Sequence, residues 1–231
     1  MNFELSAEQA AVRDRARAFA GAARARAAEI DQAGVIPAPL VRDARALCDA
    51  DPLPLAVVIE QIATASAALA IAAAASEKPA PTLDLSGLRG APALASEPRS
   101  QLVLAAVALG IGRAALEVSI EELRQSTVTP GADVEKPHWV VADAATEIDA
   151  ARLLTHKAAR TMADADVAIA RLMATAAADR AVDAALRVAG SDALKQGSAL
   201  ERLARDVRAV ALILGTEENQ RAVAADALFP R

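Results

Sequence analysis

The stretch AAVALGIGRAALEVSIEEL, residues 105–123, decides the fold class of this chain. It is rich in alanine and leucine, contains no proline, and predicts one long amphipathic helix over residues 99–125. The rest of the chain shares this composition: hydrophobic residues make up 54% of its 231 positions, aromatic residues only 2%, and tyrosine is absent. Because strands favour β-branched and aromatic residues, this composition argues against a large sheet and predicts an all-α protein.

Upstream of that stretch, residues 1–76 predict an N-terminal helical segment. Ser6 and Gln9 have the spacing of a capping box, so we expect the first helix to begin there. A short helix follows over residues 40–50. A third helix, over residues 55–76, is apolar on nearly all sides, so we expect other helices or a partner chain to enclose it.

Downstream, the chain predicts an antiparallel four-helix bundle over residues 99–231. After the helix at 99–125, periodic segments joined mostly by short loops follow at residues 137–163, 166–189, 199–214 and 217–228. Residues 77–98, EKPAPTLDLSGLRGAPALASEP, contain four prolines and two glycines without a sustained period, so we interpret them as a linker.

Charge and rare residues exclude several classes of protein. With 25 basic and 30 acidic residues and no basic block, the chain is a poor candidate for nucleic-acid binding. One cysteine, Cys48, and two histidines, His138 and His156, give little material for a metal site, and we predict none. The longest apolar run, residues 67–75, is far below the roughly 20 residues of a membrane span. We therefore expect a cytoplasmic protein that has no membrane partner.

Four strings carry a more specific signal, and together they resemble the acyl-CoA dehydrogenase family. In the order of the chain they are FELSAEQAAVRDRARAFA with AAEIDQAGVIPAPLV, AAVALGIGRAALEVSIEEL, ADAATEIDAARLLTHKAA, and LERLARDVRAVALILGTEENQRAVAADAL. In that family a β-barrel domain lies between the N-terminal helices and the bundle. Here the linker 77–98 occupies that interval, so the chain resembles a reduced member without the middle β domain.

The resemblance implies that the usual catalytic base is missing. The family abstracts the α-proton of a thioester with a carboxylate, commonly the Glu of an EGT-x-E-x-QR motif. This chain reads LGTEENQR, with Leu214 at the position of the base. Some branches place the Glu near the start of the first bundle helix, where this chain has Ser100 and Gln101, although Glu97 lies one turn away.

The family's flavin contacts are retained only in part. Arg124 matches the Arg of an R-x-x-F-G motif, but the aromatic residue and the glycine of that motif are absent. Gly190 matches one glycine of a Q-x-x-G-G motif that reaches the flavin of a neighbouring subunit. The resemblance therefore implies FAD binding through Arg124 and Gly190, and only in complex with a partner subunit.

Other conspicuous residues have plainer interpretations. We expect Glu60 to be an ion-paired or interface carboxylate and Trp139 to be a core or interface anchor. His156 is predicted to be a surface histidine, and Cys48 a buried structural thiol. Glu217 is interpreted as a first-turn acid of the last helix, with catalysis as the alternative.

Two functions remain open at this stage. The first is a subunit that does not catalyse alone but supports flavin binding and assembly in a heteromeric acyl-CoA dehydrogenase, possibly one acting on steroid-CoA esters, beside a full-length partner. The second is a homo-oligomeric helical protein that has lost redox activity. It would bind a ligand, or perform non-redox chemistry on an acyl or polyketide-like substrate. An autonomous dehydrogenase would require Glu97 or Glu217 to act as the base.

Overall fold

The computed structural model describes residues 4–75, 97–125 and 135–229. In those ranges the chain forms ten α-helices and a short 3-10 helix at Ser191–Leu194, and no strand, as the composition predicts. The helices are α1 Ala7–Arg24, α2 Ala27–Ala33, α3 Ala38–Arg45, α4 Pro52–Ala63, α5 Ala67–Ala74, α6 Pro98–Gln125, α7 Glu135–Thr161, α8 Asp164–Ala189, α9 Ala199–Leu212 and α10 Glu217–Leu228. Except for its last two residues, the predicted linker lies outside the described residues.

The start of α1 confirms the predicted capping box. The Ser6 hydroxyl accepts a hydrogen bond from the Gln9 amide at 3.2 Å, and the Gln9 side chain accepts one from the Ser6 amide at 2.9 Å. Two of the amide groups that a helix N-terminus leaves unpaired are thereby satisfied.

The apolar segment predicted as one helix over 55–76 is in fact two helices. The chain turns after Ala63, and the Ser66 hydroxyl starts α5 by accepting from the Leu69 amide at 3.2 Å. Every residue of α4 from Leu53 onward is buried, against α1, α5, α6 and α7 of the same chain. The expected enclosure is therefore intramolecular, and α4 offers no free apolar face to a partner.

Helix α6 is the central element, and two glycines set how closely its neighbours approach. A Cβ atom on Gly110 would lie 2.4 Å from Ala63 Cβ and 2.5 Å from the Glu60 carbonyl oxygen. A Cβ atom on Gly112 would lie 2.4 Å from Ile148 Cδ1. Only glycine fits both positions without moving α4 or the α7 side chain.

Helices α6 and α8 run parallel, with α7 returning between them. Gly112 lies against Ala178 at the middle of the two helices, and Gln101 lines a cavity together with Val167 near their starts. Continuing this register to the C-terminal ends places Arg124 level with Gly190. The short helices α9 and α10 pack on α8 and complete the bundle.

Among the described helices, α6 is long and apolar enough to cross a membrane. However, 78% of its most apolar window is buried inside the fold. It is the core helix of the bundle.

Candidate functional site

A cavity of about 270 Å³ opens where α6 and α8 begin. Its walls come from the start of α6, the first two turns of α8, the turn between α9 and α10, and α10 itself. The lining residues are Glu97, Pro98, Gln101, Asp164, Val167, Ala168, Leu214, Asn219, Gln220 and Val223. We call this space the α6–α10 cavity.

The cavity brings together the two positions at which the resemblance locates a base. Gln101, on α6, donates from Nε2 to the Leu214 carbonyl at 3.0 Å, although 113 residues separate the two along the chain. Its other amide atom, Oε1, is buried without a hydrogen-bond partner in the part of the chain that is described. The site therefore presents one amide and one leucine side chain where a carboxylate is expected.

Leu214 has an unusual backbone conformation. Its φ is +59°, a left-handed region that a bulky residue adopts at a cost of about 1–2 kcal/mol. Gly215 follows with φ +109°, so two consecutive left-handed residues separate α9 from α10. Backbone strain of this kind persists only where surrounding contacts hold it, and here the Gln101 hydrogen bond is one of them.

Arg171 of α8 also contacts the turn between α9 and α10. Its Nη2 donates to the carbonyl of Val210 and, at 3.2 Å, to the carbonyl of Ile213, the last groups of α9. Burial lowers the pKa of Arg171 to about 10, so the side chain remains a cation at neutral pH. In the sequence, Arg171 is a lone arginine within the apolar run VAIARLMATAAA, which lies outside the four strings that resemble the family.

Two carboxylates do line the cavity, Glu97 and Asp164, and both are exposed to solvent. Glu97 is the acid noted from the sequence. Asp164 was missed because an acid in the first turn of a helix is also what the helix dipole favours. Glu217 lines a different cavity, between α8, α9 and α10, and pairs with Arg221 at 2.7 Å.

The two residues expected to touch flavin lie at the other end of the bundle. Arg124 is 74% exposed in the last turn of α6, 4.0 Å from Glu121. Gly190 ends α8 with φ +74°, and no heavy atom lies within 4 Å of where its Cβ would be. At 1.5 Å per helical residue, about 35 Å separates Arg124 from Gln101. Within one chain, Arg124 and Gly190 therefore do not line the α6–α10 cavity.

The structure confirms the interpretation of Glu60 and corrects that of His156. The Glu60 carboxylate is buried and accepts from Arg152 Nε at 3.0 Å and from Arg113 Nη1 at 3.4 Å. His156, expected on the surface, is half-buried, and burial lowers its pKa. Trp139 is 58% exposed on α7, which excludes the core alternative for this residue and leaves the interface anchor as a prediction.

The described ranges contain no group of three or more His, Cys, Asp or Glu side chains placed to hold a metal ion. Cys48 is half-buried, and burial raises its pKa to about 11, so it is a thiol rather than a thiolate at neutral pH.

Comparison with known families decides which family contains this chain. The model for the C-terminal domain of acyl-CoA dehydrogenases matches residues 98–229. The chain belongs to the acyl-CoA dehydrogenase family. Members of this family are flavoproteins that bind FAD. The match runs from α6 to the end of α10, so it includes every wall of the α6–α10 cavity except Glu97.

Several curated members of the family are similar in sequence. Cyclohex-1-ene-1-carbonyl-CoA dehydrogenase of Geobacter metallireducens is 31% identical over 140 residues, which are 57% of this chain and 37% of that protein. The 3-sulfinopropanoyl-CoA desulfinase of Advenella mimigardefordensis is 34% identical over 58% of this chain and 35% of that protein. The match thus spans little more than a third of each relative's length.

Solved structures share the fold of the whole chain. Butyryl-CoA dehydrogenase from Megasphaera elsdenii aligns with a TM-score of 0.82 and 17% identity, over 99% of this chain and 100% of that one. The FAD complex of PigA aligns with a TM-score of 0.79 and 14% identity, over 99% of both chains. At these identities the likeness shows the fold alone.

Proposed function

We propose that this chain is an acyl-CoA dehydrogenase-like subunit that does not catalyse dehydrogenation alone and completes a heteromeric dehydrogenase. The α6–α10 cavity carries the proposal, because both family positions for the base line it and hold Gln101 and Leu214. Neither side chain can accept the α-proton of a thioester. On this proposal, the base comes from a partner chain.

The flavin would be held at the opposite end of the bundle. An exposed guanidinium at Arg124 and an open backbone at Gly190 fit the pyrophosphate of FAD in part. Residues 126–134, which would continue that surface, lie outside the described ranges. When bound, FAD supplies the hydride acceptor of a dehydrogenation. The role of Arg124 and Gly190 is to bind and orient it from across a subunit interface.

The partner is a full-length acyl-CoA dehydrogenase-like chain, and the assembly is cytoplasmic. Support for an interface comes from large apolar side chains that the fold leaves exposed, among them Trp139 on α7 and Leu228 and Phe229 at the end of α10. Helix α4 contributes nothing to this argument, since its apolar side chains are buried within the chain.

Co-expression with a full-length acyl-CoA dehydrogenase-like gene encoded beside this one tests the proposal. Size-exclusion chromatography with a visible absorbance trace should give a yellow complex, while this chain alone elutes without flavin. In the complex, Arg124→Ala should reduce flavin retention about tenfold, because a charge-assisted contact is lost.

Arg42→Ala is the matched control for Arg124→Ala. Arg42 is 78% exposed, lies in the last turn of α3, and is close to an acid on its own helix, as Arg124 is. It should leave flavin retention unchanged. A chain that elutes apart from the partner in every preparation would overturn the proposal.

A second function has its own support, and it is non-redox chemistry on an acyl substrate. The α6–α10 cavity retains the carboxylates Glu97 and Asp164, and one similar relative is named a desulfinase rather than a dehydrogenase. On this alternative, the chain is a homo-oligomer without flavin. Glu97→Gln and Asp164→Asn would then abolish turnover of an acyl-CoA ester by the chain alone, whereas the first proposal predicts no turnover to lose.

A further inference from the structure

A second cavity, of about 440 Å³, lies between α1, α4, α6 and α7, outside the α6–α10 cavity. Four guanidinium groups line it, from Arg13, Arg17, Arg113 and Arg152, and a single carboxylate, that of Glu60. The lining residues themselves therefore include more cations than carboxylates, although the chain as a whole carries a net charge of −5. We call it the arginine cavity.

Glu60 holds two of these arginines in place without using all of their donors. Arg152 gives Nε to Glu60 and Nη1 to Asp149. Arg113 gives Nη1 to Glu60 and Gln61, and Nε to a second carboxylate, that of Glu117. Within the described residues, Nη2 of Arg152 and Nη2 of Arg113 make no hydrogen bond. Both side chains are partly exposed, at 25% and 21%, so these donors remain accessible.

The two arginines of α1 lie one turn apart at the mouth of the cavity. Arg17 is exposed and makes no hydrogen bond or ion pair with the residues that the structure describes, while Arg13 pairs only with its neighbour Asp14. Asp14, Glu117 and Asp149 pair with the other three arginines, Arg13, Arg113 and Arg152, and neutralise them in part. Among the described residues Arg17 has no acidic partner, and together with the two spare Nη2 groups it offers donors to an added anion. A planar carboxylate offers two oxygens, but a phosphate group offers acceptors on several sides and suits guanidinium forks from three helices.

We propose that the arginine cavity binds a phosphate group, free or carried by a small molecule. Glu60 acts as the internal counter-ion that orients Arg113 and Arg152, and Arg13 and Arg17 close over the ligand from α1. Nothing in this proposal depends on the α6–α10 cavity or on flavin.

Calorimetric titration of the full chain at constant ionic strength tests the proposal. The probes are inorganic phosphate and adenosine 3′,5′-bisphosphate, at millimolar concentration. One saturable site is expected, and Arg17→Ala should weaken binding about tenfold, the loss of one charge-assisted hydrogen bond. Saturation by the bisphosphate alone would identify the ligand as a carried phosphate, and saturation by both would identify a site for the free ion as well.

Arg15→Ala provides the matched control. Arg15 is also exposed on α1, but at 100° per residue it points away from the face that holds Arg13 and Arg17. Its replacement should leave affinity within about twofold, because only long-range charge is lost. Absence of saturable binding for both probes, or equal weakening by Arg15→Ala and Arg17→Ala, would overturn the proposal.

Discussion

The close approach of α4 to α6 predicts that Gly110→Ala is strongly destabilising. A Cβ at position 110 would lie 2.4 Å from Ala63 Cβ and 2.5 Å from the Glu60 carbonyl oxygen. Ordinary carbon contacts begin near 3.4 Å, so α4 would have to move by about 1 Å. The contacting segments of α4 and α6 are buried in a close-packed core, where such overpacking lowers the free energy of unfolding by about 1–3 kcal/mol.

Thermal and urea denaturation followed by circular dichroism measure this cost. For a domain of this size, about 1–3 kcal/mol corresponds to a melting temperature lowered by roughly 3–10 °C. The denaturant slope should be unchanged, since the surface exposed on unfolding is the same.

Gly21→Ala is the control, because it adds the same methyl group to a helix where it meets nothing. No heavy atom lies within 4 Å of the Gly21 Cβ position on α1. Replacing a helical glycine by alanine should stabilise the chain by up to about 1 kcal/mol. If Gly110→Ala were as stable as the wild type, the packing of α4 on α6 would be different from the one described.

Three further predictions concern charged and titrating groups. Burial raises the pKa of Asp206 to about 7, so the free energy of unfolding should fall as pH rises from about 4 to about 7, by at most about 4 kcal/mol. Denaturation series at several pH values should show that Asp206→Asn removes this decline. A decline that persists in Asp206→Asn would assign it to another group. Glu60→Gln should lower the free energy of unfolding, measured in urea, by about 3 kcal/mol, because it leaves Arg113 and Arg152 without their buried counter-ion. An unchanged free energy of unfolding would contradict that role. Cys48 should react with iodoacetamide at pH 7 at least about 100-fold more slowly than free cysteine, because its pKa is raised to about 11, and a rate near that of free cysteine would refute its burial.

Much of the fold could be predicted from local signals. The capping box at Ser6 and the long helix over 99–125 follow from spacing and composition, which depend on neighbouring residues. The break between α4 and α5 was missed because alanine-rich sequence continues across it, and only Ser66 marks a new helix start. Enclosure of α4 within its own chain depends on tertiary contacts that hydrophobicity alone cannot assign.

The candidate site shows a similar division. The family motifs point to Leu214 and Gln101 separately, but the hydrogen bond between them joins residues 113 positions apart, and only the folded chain reveals it. Asp164 escaped notice because its position in a first turn has an ordinary electrostatic explanation. The arginine cavity escaped notice because its four arginines come from three helices, and no spacing along the sequence relates them.

The flavin content of the purified chain tests the central claim most directly. The chain should be prepared alone, supplied with excess FAD, freed of unbound ligand, and then mixed anaerobically with butyryl-CoA. The account predicts a colourless protein with negligible flavin and no spectral change, because positions 101 and 214 lack a base and flavin binding requires contacts from the partner subunit. Stoichiometric flavin that is bleached by the acyl-CoA ester would contradict the account, since the chain would then be a dehydrogenase in its own right.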